Sequence, residues 1–472
     1  MEKKLSRRSL LRVFGISAAA TWVAACTPQV VKETVIVEKE VEVEKEVTTV
    51  VEKEVEKVVK ETVVVEQAAV EPEGEVIFWG HDQHPLDLAA EGFTQKYPKI
   101  TWTSPHPADW GTKLNAAFAS GTGCPDLVWL EATQVQDFGC NDLLFDVTPI
   151  LEPVAEDFHP AKLAETFVTK TGKNVGWPGD LSVSGYYYRF DQFEAMGYGD
   201  VDWEAMTYDD FLLMAKDIAG KGKYLFCFPA SGWSALFNLI LQQLGGLLVS
   251  QDGQQIMVGD EKGIEAMTMV KALYDTGAGL DVAWWSAPYW ASIQDGTLIG
   301  DFAAAWSKGF WEAQIKTPEQ GAGYWRIAKF PGGGNVKYRT GIWGGATLCI
   351  PNCAENKENA MLYQQYALGS LEGCALAGGW GIIPSYRPYV ASSLFQGARS
   401  IIFGDWAFNS FWAEQEKGLS QEYYRPAGWG AVDAIIGREM MSIILGEKPV
   451  DAGMQDIVSL STPDFERTMC KL

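Results

Sequence analysis

Glu75-Val76-Ile77-Phe78-Trp79-Gly80, Ile100-Thr101-Trp102-Thr103 and Pro125-Asp126-Leu127-Val128-Trp129-Leu130 are three short apolar runs separated by two helix-like stretches, and their rhythm decides the fold. Residues 85–97 open on a proline and then space their apolar side chains three and four apart; residues 110–120 do the same with Leu114, Ala117 and Phe118. Short apolar runs bounded by Gly and Pro read as buried strands. Strand–helix–strand alternation implies a parallel sheet covered by helices on both faces, so the expected class is α/β. The rhythm resumes with a helix over 208–219, a strand over 224–228, helices near 233–244 and 263–276, and strands over 298–303 and 346–350. In such sheets ligands bind beyond the carboxyl ends of the strands, which singles out Trp79-Gly80-His81-Asp82 and Trp129-Leu130-Glu131.

At 472 residues the chain exceeds the roughly 150 residues of one domain, so two lobes or more are expected. A net charge of −23 excludes a general nucleic-acid binder, which needs a basic stripe. Hydrophobic residues at 47% suffice for a sizeable core. Eight cysteines are too few for a disulfide scaffold in so long a chain, and four histidines leave little for a metal site. Gly332-Gly333-Gly334 follows Pro331 as a turn, without the Lys-Ser/Thr of a phosphate loop, and Cys349 and Cys353 lack partners at zinc spacing. No cofactor or metal is expected. Cys124 and Cys140 flank one strand–helix unit, which makes a disulfide between them possible.

Upstream of the first strand lie two segments of different composition. Lys3, Lys4, Arg7, Arg8 and Arg12 precede an apolar run of residues 13–25. That run is too short to cross a hydrocarbon layer of about 30 Å as a helix, so residues 1–25 read as a signal peptide. Ser6-Arg7-Arg8-Ser9-Leu10-Leu11-Arg12 resembles a twin-arginine export signal. Val23-Ala24-Ala25-Cys26 looks like a lipobox, which makes Cys26 the expected site of lipidation and predicts a chain tethered to the outer face of a bacterial cytoplasmic membrane. Residues 26–73 are then the lipidated N-terminus and a stalk of Val, Glu, Lys and Thr. In it VVKETV recurs after 28 residues, which is four heptads. A heptad seam of β-branched residues suits a coiled coil; the same valines also fit alternation, and a solvated tether remains open beside it.

From Gly74 onward the ordered blocks resemble the extracellular solute-binding proteins of bacterial ABC importers, in the sugar-binding group that includes maltose-binding protein. They are Phe93-Thr94-Gln95-Lys96-Tyr97-Pro98, Gly123-Cys124-Pro125-Asp126-Leu127-Val128-Trp129, Leu143-Leu144-Phe145-Asp146-Val147-Thr148-Pro149, Val175-Gly176-Trp177-Pro178, Tyr186-Tyr187-Tyr188-Arg189-Phe190-Asp191, Met206-Thr207-Tyr208-Asp209-Asp210-Phe211, Pro331-Gly332-Gly333-Gly334, Gly344-Gly345 and Ile383-Pro384-Ser385. The resemblance implies a two-lobed, type II periplasmic-binding-protein-like fold with hinge strands, and a permease of an ABC importer as partner. By analogy one lobe takes 74–183 plus 299–345 and the other 184–298 plus 346–472.

A sugar offers hydroxyls around its edge and C–H-rich faces above and below, so its site needs flat aromatic rings and polar groups in the ring plane. Of the 19 Trp, the resemblance marks Trp129, Trp306 and Trp429 as platforms, with Trp233 and Trp343 as weaker candidates. Asp82 and Asp180 are the expected hydroxyl-binding acids, followed by Glu131. The doublet in Trp284-Trp285-Ser286-Ala287-Pro288-Tyr289-Trp290 reads as a ligand wall or a surface patch. The expected function is capture of a mono- or oligosaccharide without bond making. Two rivals stand beside it: the same fold holding a polyamine or quaternary ammonium in an aromatic cage, and a secreted glycoside hydrolase, which needs a carboxyl pair at a set separation.

Overall fold

The computed structural model describes residues 71–81, 85–229, 234–250 and 252–470. The signal peptide, Cys26 and the stalk as far as residue 70 lie outside the described residues, as do Asp82 and Trp233.

The three runs that open the globular part form three strands, Gly74–Trp79, Ile100–Thr103 and Leu127–Glu131, paired in parallel with Gly74 opposite Ile100 and Phe78 opposite Leu127. Leu127 to Leu130 are all buried, as a strand covered on both faces requires. The helix Pro85–Lys96 begins on proline, whose missing N–H costs nothing in a first turn, and buries Leu86, Ala89, Ala90 and Phe93 along one stripe. The helix Trp110–Ser120 stops at Gly121, in the left-handed conformation at φ +71°.

The sheet is completed from far along the chain. Ala346–Cys349 lies antiparallel to Leu127–Glu131, with Leu348 opposite Trp129, so the order is Ala346–Cys349, Leu127–Glu131, Gly74–Trp79, Ile100–Thr103. Helix Leu371–Trp380 packs on Pro85–Lys96, and Tyr363, Tyr366 and Ala377 share a core with Phe78 and Phe93. A second sheet is wholly antiparallel, in the order Trp325–Ala328, Ser184–Arg189, Gly300–Ala304, with Tyr187 opposite both Ile327 and Asp301. Over it lies the largest core, with Phe211, Phe237, Met267, Ile436 and Ile457 from five helices.

These pairings correct the expected apportionment of the lobes. Residues 299–345 do not join the first sheet: Gly300–Ala304 is hydrogen-bonded to Ser184–Tyr188 in the second. Residues 346–380 do not join the second: the fully buried Ala346-Thr347-Leu348-Cys349 covers the edge that Leu127–Glu131 would otherwise leave open. Gly300–Ala304 and Trp325–Ala328 both pair in the second sheet, so the chain returns to the first sheet at Ala346–Cys349, two strands later than the resemblance implied. The Cys124–Cys140 disulfide, one pairing left open by the sequence, is not the one formed: Cys124 is bonded to Cys353 and Cys140 to Cys470, while Cys227, Cys349 and Cys374 are buried thiols. Among the described residues no helix is long and apolar enough to cross a membrane.

Between the sheets the chain crosses at three places, marked by the bridges Trp177 to Leu348, Asp180 to Pro384 and Val183 to Ile342. Asp180 clamps them. Its Oδ1 accepts from the N–H of Ser182 (3.0 Å) and of Ile383 (2.9 Å), and its Oδ2 from the Ser182 hydroxyl (2.5 Å). Burial pushes its carboxyl above the usual range, and those donors, with Lys162 nearby, oppose the shift. The crossing strands approach so closely that a Cβ on Gly179 would stand 2.3 Å from the Ala346 carbonyl oxygen and 2.6 Å from the Trp129 ring.

Candidate functional site

Trp306 follows the strand Gly300–Ala304 and opens the helix Ser307–Gln314; its indole N–H donates to the Trp343 carbonyl oxygen at 2.8 Å. That bond fixes the ring beside Trp343, with centroids 5.7 Å apart and planes at 67°. Trp285 lies 5.5 Å from Trp306 on another side, and Trp284 lies 5.5 Å from Trp343. One turn into the helix, Phe310 meets Trp306 edge-on at 6.1 Å and then Trp380 at 4.8 Å. His81, at the carboxyl end of the first strand, stands 6.4 Å from Phe310 and 6.5 Å from Trp380. A continuous row of rings thus runs from the second lobe (Trp284, Trp285, Trp343, Trp306) to the first (Trp380, His81). Trp306–Trp343, Trp284–Trp343, Trp306–Phe310 and Phe310–Trp380 meet edge-on. The contacts of Trp285 with Trp306 and of His81 with Phe310 and Trp380 are tilted, so none of these pairs stacks face to face.

The row is anchored by Lys308. Its ammonium donates to the carbonyl oxygen of Gly379 (3.0 Å) at the end of helix Leu371–Trp380 and pairs with Glu312 (3.0 Å). Gly309 lets the two helices touch, since a Cβ there would be 2.5 Å from the Trp380 ring.

Charged groups edge the space between the lobes. Lys162 and Glu165, both buried on the helix Pro160–Thr166, pair with each other, and Lys162 lies near Asp180 and Gly345. Arg425 reaches Glu131 across the lobes at 3.6 Å. Burial works against the Arg425 charge, but Tyr423, Glu131 and Asp433 more than offset that and hold it protonated. Asp433 accepts from the Ser234 hydroxyl (2.6 Å) and the Asn238 amide (3.0 Å). Asp137 accepts from the Gly428 N–H at 2.7 Å, a second contact between lobes, and burial raises its carboxyl.

Of the residues marked in the sequence, Trp306 and Trp343 are brought together. Trp129 is 9% exposed, with its ring against the close crossing at Gly179, and Trp429 is 1% exposed in the second-lobe core. Trp343, at 6% exposed, is buried to a degree similar to Trp129. Asp180 is buried and accepts three hydrogen bonds as the clamp of the crossing strands. Glu131 is the N-cap of the helix Ala132–Cys140 and the partner of Arg425. Lys162, Glu165, Arg425, Phe310 and Trp380 escaped the sequence reading; for the last two, an aromatic one turn after Trp306 and a tryptophan closing a helix were the available signals. Among the described residues no group of His, Cys, Asp and Glu is arranged to hold a metal.

The model of the family described as bacterial extracellular solute-binding protein matches residues 83–370. A lactose-binding protein of Rhizobium radiobacter is 27% identical over 273 residues, which is 55% of this chain and 61% of that protein, so the match spans less than two thirds of the relative. Among solved structures, the galacto-N-biose-/lacto-N-biose I-binding protein of Bifidobacterium longum superposes with a TM-score of 0.67 at 21% identity, covering 84% of this chain and 98% of that one. The sugar-binding protein MalE from Xanthomonas citri gives 0.69 at 18% identity, over 84% and 98%. An ABC-transporter-associated binding protein from B. animalis subsp. lactis, in complex with β-1,6-galactobiose, gives 0.68 at 21%, over 84% and 98%. At such identities the likeness establishes the two-lobed fold.

Proposed function

We propose, from the premise that this chain belongs to the bacterial extracellular solute-binding proteins, that it captures a saccharide between its lobes and hands it to the permease of an ABC importer without altering it. The observation that carries this reading is the row of rings from Trp284 to His81, which crosses from one lobe to the other. A pyranose lying against it covers indole faces with its C–H surface, and Lys162, Glu165, Arg425 and Asp433 are the polar candidates for its hydroxyls. The relatives named for lactose, lacto-N-biose and β-1,6-galactobiose make galactose-containing disaccharides the first compounds to try.

Capture works by closure. Contacts that exist only when both lobes grip the ligand shift an open–closed equilibrium, and the closed shape is what a permease recognises. Moving that equilibrium from 1:99 to 99:1 takes about a 10⁴-fold preference for the closed form. The leader belongs to the same reading: residues 1–25 are removed, Cys26 is acylated, and the stalk spaces the lobes from the membrane. A Cys26→Ser chain then appears in the medium or periplasm instead of the membrane fraction.

The deciding experiment is a thermal-shift panel on the purified chain, with neutral mono- and disaccharides against choline, betaine and spermidine. Only a compound that binds the folded state raises the midpoint. A rise with a saccharide supports the reading; a rise with the amines alone gives the site to a cationic solute. Release of reducing ends from a polysaccharide would instead make the chain a hydrolase.

A further inference from the structure

The strand Gly300–Ala304 carries one carboxylate, Asp301, and it is buried. Three donors from three elements converge on it. The N–H of Cys227 donates to Oδ1 at 3.0 Å; the Tyr289 hydroxyl (3.0 Å) and the Trp284 indole N–H (3.3 Å) both donate to Oδ2. Next to Trp284 comes Trp285 at φ +66°, a left-handed backbone that bulky residues almost never adopt. Successive side chains of an extended segment point to opposite sides. Here the left-handed residue lets both rings meet the same wall, Trp284 on Trp343 and Trp285 on Trp306. Strain of this kind persists only where the surroundings over-determine it. Trp285 is held by Tyr289, Trp290, Trp306 and Phe310. Trp284 and Trp343 also line a small cavity with Cys227, Leu236, Leu239 and Phe302.

We infer that Asp301 is a positioning residue: its carboxylate fixes the Trp284 indole, and with the left-handed Trp285 it makes the Trp284-Trp285 doublet a specificity-determining face of the saccharide site. This inference rests on the function proposed above. Ionised, Asp301 accepts all three bonds; protonated, it loses its charge, one oxygen becomes a donor, and the bonds from Trp284 and Tyr289 to Oδ2 weaken or rearrange. Burial pushes the Asp301 carboxyl up to about 7, against the Cys227 N–H and the Tyr289 and Trp284 donors. The other titratable groups facing it are the Tyr289 and Tyr186 hydroxyls and the Cys227 thiol, all pushed upward first by burial and so neutral from pH 5 to 9, with Asp281 within reach of Cys227.

The test measures the dissociation constants of lactose and lacto-N-biose from pH 5 to 9 for the full chain, Asp301→Asn, Trp284→Phe and the double variant. The expected result is about tenfold weaker binding below a midpoint near pH 7 in the wild type. Asp301→Asn and Trp284→Phe should bind about tenfold more weakly at pH 8 with no such midpoint, and the double variant no more weakly than either. Wild-type affinity and an unchanged pH profile in Asp301→Asn would overturn the inference. If Asp301→Asn does not fold, Trp284→Phe decides alone, since it removes the N–H together with part of the ring: unchanged affinity overturns the inference. If neither sugar binds the wild type, the functional reading fails. The positioning claim is then read from near-ultraviolet circular dichroism, where a tryptophan band must change near pH 7 in the wild type and not in Trp284→Phe; its absence overturns the claim.

Discussion

The Cys140–Cys470 disulfide joins the two lobes covalently, and cutting it should change both stability and reach. Cys140 ends a helix packed in the minor core of the first lobe. Cys470 follows the helix Val450–Thr468, whose Met454, Ile457 and Phe465 belong to the second-lobe core. The residues it links are 330 apart, so the chain-entropy model gives about 5–6 kcal/mol for closing that loop, as an upper figure; measured disulfides cluster at about 2–4 kcal/mol. For a folded body of some 400 residues, 1 kcal/mol moves the melting midpoint by roughly 1–2 °C. The Cys140→Ser/Cys470→Ser double variant, with Cys124–Cys353 left intact, should therefore melt about 3–6 °C lower by calorimetry. Without the tether, Glu131–Arg425 and Asp137–Gly428 still link the lobes on that side. The radius of gyration of the ligand-free variant, by small-angle X-ray scattering, should rise above that of the wild type. Saccharide affinity should fall, since closure starts from a wider gape. An unchanged midpoint together with an unchanged radius would refute the view that this bond restrains the lobes.

Three further outcomes follow from the geometry. Trp306→Ala removes the ring at the centre of the row and should weaken saccharide binding by about 2–3 kcal/mol, roughly 30- to 150-fold in Kd by calorimetric titration, with little loss of fold. Gly179→Ala drives a methyl group into the Ala346 carbonyl and the Trp129 ring, and should cost about 1–3 kcal/mol in urea unfolding. Asp301 binds its proton more tightly folded than unfolded, so its stabilising contribution is full below about pH 4 and lost as pH rises to about 7. Wild type minus Asp301→Asn stability should accordingly fall between those values; a difference that rises or stays flat contradicts the burial of this carboxyl.

How much was legible beforehand varies with the kind of physics involved. The strands at Gly74, Ile100 and Leu127 and the helices between them were readable because burial on both faces and proline or glycine punctuation are local signals. Membership of Ala346–Cys349 in the first sheet was not, since an apolar tetrad fits either lobe and only the vacant edge of Leu127–Glu131 selects one. Trp306 and Trp343 were marked each as a ring for a ligand; that the two touch was not legible, because the bond from the Trp306 indole to the Trp343 carbonyl joins segments 37 residues apart. For Trp129, Trp429 and Asp180 residue type suggests what a side chain could bind, while its burial depends on long-range contacts such as Gly179 and Ile383, which no local pattern encodes. Phe310 and Trp380 were missed because their meeting is arranged by Lys308 and Gly309, from helices far apart in the chain.

The late arrival of Ala346–Cys349 also bears on how the molecule is made. While a ribosome is still short of residue 349, the strand Leu127–Glu131 has one naked flank, and Phe78 and Phe93 lack the helices that will cover them. Such long-range pairing delays folding and leaves sticky apolar surface on the nascent polypeptide. A chaperone that shields residues 74–131 during synthesis should therefore govern the yield of this protein more than any property of its finished form.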